Sequence, residues 1–177
     1  MDFVSTTPDD RRRCRVLGIP VDACRDVRAA ALGLHARGGG RIVTLNAEMT
    51  MTARANPELC AAIGSADLVI PDGAGGVWAL SRQGIKVLRS PGIELAWTLL
   101  SYAAAHRWRV ALIGASPEVM TTLKEMLPNK LPGLDLVLTV HGYQPAEAWP
   151  GLESQLLSVD PDLVLIALGV PRQETWS

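Results

Sequence analysis

Short apolar runs bounded by turn residues recur at Val16–Ile19, Arg41–Leu45, Leu68–Ile70, Val110–Ile113, Leu134–Val140 and Leu163–Ala167. Most are apolar throughout rather than alternating, the pattern of strands buried on both faces, as in a parallel sheet covered by helices. Between them, apolar residues return at three- and four-residue spacing over Val27–Ala36, Ala47–Ala55, Pro57–Ile63, Ala74–Arg82, Pro91–His106, Pro117–Leu127 and Ala146–Ser158, which predicts helices. Strands and helices in alternation make βαβ units, so the predicted class is α/β: a Rossmann-like parallel sheet flanked by helices. Gly38-Gly39-Gly40 and Pro132-Gly133 punctuate strand starts, and Ser116-Pro117 supplies a cap and a first-turn proline. No repeat, low-complexity linker or charge block divides the chain. The expectation is an N-terminal tail at 1–15 and one domain over 16–177, which two βαβ halves can make up. The polar segment after Leu163–Ala167 reads as the start of a further helix.

Composition sharpens this. The 177 residues are 48% hydrophobic and 20% charged, enough for a real core. Only 5% are aromatic, so that core is aliphatic. With 17 basic against 18 acidic side chains the formal charge is -1, which gives no broad field for a phosphate backbone, so nucleic acid is not an expected partner. Cys14, Cys24 and Cys60 lack CxxC spacing and fit reduced thiols of a cytosolic protein. Met1–Asp10 holds no apolar segment of signal-peptide length. The longest apolar stretch, Ile93–Ala105, contains Glu94 and is shorter than the ~20 residues of a bilayer span, so no transmembrane helix is expected.

In an open parallel sheet, ligands bind beyond the carboxyl ends of the strands, so the polar residues that follow each apolar run are the candidates. Asp72, after Leu68–Ile70, can accept a proton from an attacking sugar hydroxyl; Asp-Gly is equally a common turn pair, and Asp a good N-cap for the helix from Ala74. Thr44 and Asn46 can hydrogen-bond sugar hydroxyls, and Asn46 is also a natural N-cap. Gly114-Ala115-Ser116-Pro117 is a small-residue turn before a helix whose first N–H groups could hold a diphosphate. Arg89 is a candidate phosphate partner or a solvated surface residue. Arg172, Gln173 and Glu174, in the loop that starts at Gly169, could read a ribose, base or sugar, or could cap a helix. His35, His106 and His141 are scattered and no DxD occurs, so neither a metal nor any other cofactor is expected. No Gly-x-Ser-x-Gly elbow supports a serine hydrolase. Met49, Met51, Trp78 and Trp97 read as core faces of helices.

The order of these blocks resembles the WecG/TagA/CpsF family of bacterial glycosyltransferases. Thr44-Leu45-Asn46-Ala47-Glu48-Met49 is similar to the family's T-x-N-x-E-M block, and Ala66-Asp67-Leu68-Val69-Ile70-Pro71-Asp72-Gly73 to its A-D-hydrophobic-P-D-G block. Arg89-Ser90-Pro91-Gly92-Ile93-Glu94-Leu95 is similar to R-x-x-G-x-D/E-L, with Ser90-Pro91 in place of the usual small or β-branched pair. His141-Gly142-Tyr143 and Gly169-Val170-Pro171-Arg172-Gln173-Glu174-Thr175-Trp176 are similar to the two later blocks.

The resemblance implies inverting, metal-independent transfer of an N-acetylmannosamine-like or glucose-like hexosyl unit. The donor is a UDP-sugar and the acceptor a polyprenyl-diphosphate-linked sugar, in cell-envelope or exopolysaccharide synthesis. It implies Asp72 as catalytic base, with Thr44 and Asn46 in the reaction pocket. Arg89, Glu94, Gly114, Gly142, Tyr143, Gly169, Arg172, Gln173 and Glu174 would bind substrate. It places the protein in the cytoplasm, peripheral at the inner face of the plasma membrane, where it meets the membrane surface. The C-terminal part of the family domain is expected to be missing, which would leave an open sheet edge and favour homo-oligomers. A catalytically inactive nucleotide-sugar-binding or assembly domain is the alternative. A dehydrogenase would need GxGxxG after the first strand, which is absent.

Overall fold

The computed structural model describes residues 11–87 and 89–176. Met1–Asp10 of the expected tail, together with Leu88 and Ser177, lie outside the described residues. Among the described residues, seven strands and eight helices alternate in the manner expected of an α/β chain. They pack as two compact units, one running to Leu95 and including Glu174–Trp176, the other Ala96–Gln173. Each has its own parallel strands.

The first unit opens with a hairpin, β1 (Arg12–Val16) and β2 (Ile19–Ala23), paired antiparallel with Val16 opposite Ile19. The single strand expected at Val16–Ile19 is therefore a turn. Leu17 and Gly18 take φ of 50° and 87°, the left-handed pair that a two-residue hairpin requires. The expected tail also ends earlier, since β1 takes up Arg12–Arg15. After α1 (Val27–Ala36), β3 (Ile42–Leu45) pairs in parallel with β4 (Leu68–Pro71) through α2 (Ala47–Ala55) and α3 (Pro57–Gly64), and α4 (Ala74–Arg82) follows. Local chemistry sets these bounds: Asp26, Asn46 and Asn56 each cap a helix, accepting from Ala29, Met49 and Leu59. The core joins Ile19 and Val21 to Val43, Leu45, Leu59, Ile63, Val69 and Leu80.

α5 (Gly92–His106) leads into the second unit. There β5 (Arg109–Gly114) lies between β6 (Asp135–Val140) and β7 (Leu163–Ala167), all parallel. Helix α6 (Pro117–Lys130) connects β5 to β6; a 3-10 turn at Ala146–Ala148 and α7 (Trp149–Val159) carry the chain past β5 to β7. The helix expected from Ala146 starts as this tighter turn, with Pro150 at the head of α7. The first crossover moves from β5 to β6 and the second returns past β5 to β7 on its other side, so the winding reverses beside β5 and the carboxyl edge of this sheet has a topological switch point. Leu100, Ala103, Val110, Leu112, Met120 and Leu127 form the core under α5 and α6. The chain closes with α8 (Arg172–Trp176), where a new helix was expected to start.

Three predicted core positions are exposed instead. Met49 is buried, but Met51, Trp78 and Trp97 are 54%, 66% and 42% exposed. Two residues along a helix is about 200°, so Met51 points away from Met49, and Trp78 away from the buried Leu80. No helix among the described residues is long and apolar enough to cross a membrane.

Candidate functional site

The carboxyl edge of β3 and β4 brings together residues of the first two motif blocks, and Gly92 of the third reaches it. Thr44 pairs with Ile70 and Leu45 with Pro71, and the Asp72 N–H extends the ladder by donating to the Leu45 carbonyl at 2.9 Å. Asn46 and Asp72 thus leave adjacent strand ends together. Their side chains differ in use. Asn46 Oδ1 accepts from Met49 N–H at 2.7 Å, so its oxygen caps α2. Asp72 is half-buried, and the N-cap of α4 is Gly73 at φ 83°, with no side-chain cap bond. The turn reading of Asp72-Gly73 holds for the glycine, whereas the capping alternative for Asp72 does not.

Gly92 explains how a third segment reaches this edge. A Cβ built on it would stand 2.8 Å from Thr44 Cγ2, so only glycine lets the start of α5 close on the half-buried Thr44. Arg89, exposed, precedes this contact by three residues, and Glu94, also exposed, lies in the first turn of α5.

The second unit holds a cleft of about 840 Å³ at the carboxyl edge of β6, β5 and β7. Ala115 and Ser116 line it from the β5–α6 turn, Gly142–Pro145 from the segment after β6, and Ala167–Gly169 with Arg172 from beyond β7. Two glycines give it shape. Gly114, at φ 119°, brings its Cα so near the end of β7 that a Cβ would fall 2.2 Å from the Ala167 oxygen. That same oxygen accepts from Ala115 N–H at 2.8 Å. Gly142 is buried, and a Cβ there would meet Leu168 at 3.1 Å and the Cα of Gly114 at 3.3 Å. Ser116 Oγ caps α6 through Val119 N–H at 3.3 Å. A hydrogen bond to Ser116, then the backbone N–H and the nearby His141, hold the Glu118 carboxyl below the usual glutamate range.

Of the expected substrate-binding residues, Gly142, Tyr143, Gly169 and Arg172 line this cleft, and Gly114 packs directly behind it. Gln173 is used within its own loop: its Oε1 accepts from Gly169 N–H at 3.2 Å. Glu174 is buried at 3% exposure and belongs with the first unit, where its carbonyl accepts from Arg41 Nη1 at 2.9 Å. Gln144, Leu168 and Trp149 were not singled out from the sequence. Trp149 lies under Arg172, whose guanidinium carbon stands 4.2 Å from the centre of the Trp149 ring. Only its closeness to the Gly-Tyr block hinted at it. Among the described residues, no cluster of three or more His, Cys, Asp or Glu side chains could hold a metal ion.

Parallel βαβ units with polar residues at their carboxyl edges, and a cleft at that edge of the second unit, define an α/β protein of the Rossmann-like class. The chain belongs to the WecG/TagA/CpsF family of glycosyl transferases, whose model matches residues 14–177. It is also 33% identical over 138 residues to the N-acetylglucosaminyldiphosphoundecaprenol N-acetyl-beta-D-mannosaminyltransferase of Bacillus spizizenii. That match covers 77% of this chain and 52% of the relative, so the chain spans about half the length of the curated relative it matches.

Proposed function

We propose that this chain carries the sugar-transfer chemistry of its family: an N-acetylmannosamine-like or glucose-like unit passes from a UDP-sugar to a polyprenyl-diphosphate-linked sugar, without a metal. The name of the Bacillus relative supports both an N-acetylmannosaminyl group and an N-acetylglucosaminyl-diphospholipid acceptor. The observation that carries the assignment is Asp72, an acid at the end of β4 that the helix after it does not use as its cap.

In the proposed reaction the acceptor hydroxyl gives its proton to Asp72 as its oxygen bonds to the anomeric carbon. UDP leaves from the opposite side with the bonding pair, so the configuration inverts. Thr44 and Asn46 orient the reacting sugars, with Arg89 and Glu94 beside them. The cleft takes the donor: the first N–H groups of α6 and the Arg172 guanidinium offset the charge that develops on the diphosphate. Because the acceptor is a lipid, the site of action is the inner face of the plasma membrane, approached from the cytoplasm. β6 and β7 flank β5 as the outer strands of their sheet, and a free strand edge can pair with a second copy.

The test is UDP release on mixing the chain with UDP-N-acetylmannosamine or UDP-glucose and a short-chain lipid-diphosphate sugar, with and without EDTA. Turnover should survive EDTA and fall at least ~10³-fold in Asp72→Asn, in keeping with loss of a general base. UDP binding without turnover would favour the inactive binding domain. Undiminished turnover in Asp72→Asn would overturn the role of Asp72.

A further inference from the structure

We infer that Trp149 is a positioning residue, which with the Gly142 carbonyl holds the Arg172 guanidinium at the cleft to meet a nucleotide diphosphate. This rests on the proposed donor site and adds a residue to it.

Arg172 lies on α8, a helix of only five residues, and its own side chain is exposed. A long exposed arginine ordinarily samples many rotamers, and ordering it when a ligand arrives weakens binding. Here two anchors on other segments fix it in advance. The guanidinium carbon stands over the Trp149 ring, 4.2 Å from its centre, and Nη1 donates to the Gly142 oxygen at 3.2 Å.

The anchors are themselves firmly held. Gly142 is buried against Leu168 and Gly114, so its carbonyl has little room to move. Trp149 is half-buried at the junction of the 3-10 turn and α7. A cation held over a ring face keeps its N–H groups as donors, and arginine uses them to grip phosphate oxygens. Arg172 and Gly142 both line the cleft, as does Ser116, the cap of α6. The anchored cation and the start of that helix therefore serve one space with the same sign of charge.

A stack that merely braced α8 would change stability without distinguishing ligands. Two ligands tell these roles apart: UDP, and uridine, which lacks phosphate. Trp149→Leu keeps apolar bulk but removes the ring quadrupole, and should weaken UDP binding about tenfold by calorimetric titration. Uridine binding, followed by ligand-observed NMR, should change less than about twofold, and Trp149→Phe should restore most of the UDP affinity. Arg172→Met, which removes the cation itself, should lose at least as much UDP affinity as Trp149→Leu, and the double variant should lose no more than Arg172→Met alone. If Trp149→Leu does not fold, Arg172→Lys replaces it, since it keeps the charge without the planar face; the same tenfold loss is expected.

Wild-type UDP affinity in Trp149→Leu or Arg172→Lys, or equal loss for UDP and uridine, would overturn the inference alone. A wild-type chain that binds neither ligand would remove the donor site and the inference with it.

Discussion

Arg13 and Asp22 face each other across the first hairpin in a two-point contact, with Nε 2.9 Å from Oδ1 and Nη2 2.8 Å from Oδ2. Asp22 is fully buried, and its Oδ2 also accepts from Val69 N–H at 2.7 Å. One carboxylate thus fastens β2 to β4, three residues before Asp72. The hydrogen bond that Arg13 donates to Asp22 also raises the guanidinium pKa above its ordinary value.

Asp22→Ala strands the hairpin side of this link and leaves the Val69 N–H without its acceptor. We expect a loss of about 2 kcal/mol in urea denaturation, in the range for leaving a buried donor unsatisfied. Arg13→Met should cost at least as much, because it leaves the fully buried Asp22 carboxylate without its ion partner. Equal stability of the Asp22→Ala protein would show that the carboxylate is not the fastening.

Asn46 and Asp72 occupy equivalent places at neighbouring strand ends but should respond oppositely. Asn46→Ala removes the cap of α2 and should cost about 1 kcal/mol. Asp72→Asn should stay within about 0.5 kcal/mol of wild type while abolishing transfer. Thermal melts run beside the UDP-release assay separate the two effects, and a large stability loss in Asp72→Asn would make it a structural residue.

Two glycines of the second unit give opposite predictions for the same substitution. Gly114→Ala places a methyl at positive φ against the Ala167 oxygen, so β7 must shift; a loss of about 3 kcal/mol or more is expected. Gly151→Ala, inside α7 with nothing within 4 Å, should gain about 0.5–1 kcal/mol from backbone entropy and helix propensity. Chemical denaturation of both variants checks the pair.

Glu118 ties stability to acid. Its folded-state carboxyl titrates below the unfolded one, chiefly through Ser116, so its contribution is present above the unfolded pKa and is lost as pH falls through the folded value. Wild type should exceed Glu118→Gln in stability at neutral pH, with the gap closing below about pH 4. A constant gap across pH 3–7 would assign the effect to something other than this ionisation.

The burial of Cys24, then the nearby Asp22, raises its thiol pKa. Alkylation at pH 8 should therefore be slower than for an unfolded thiol, and it should match that rate once urea unfolds the chain. Mass spectrometry of the labelled peptide reports it.

The sequence by itself determined what is decided within a turn of helix or a short strand. The bounds of α1, α2, α4 and β7 agree with the apolar periodicity, and Asp26, Asn46, Asn56 and Ser116 cap the helices they precede. Caps and spacing act over three or four residues, so a linear reading can reach them. Tertiary structure decided the rest. Val16–Ile19 reads as one apolar strand until Leu17 and Gly18 turn it back on itself. Nothing in the local sequence marks Asp22, which Arg13 and Val69 meet across strands. Arg172 and Trp149 lie far apart in sequence, and only the passage of the chain over β5 brings the cation onto the ring. Such contacts depend on loop closure and strand order, and the local pattern of side chains does not encode either.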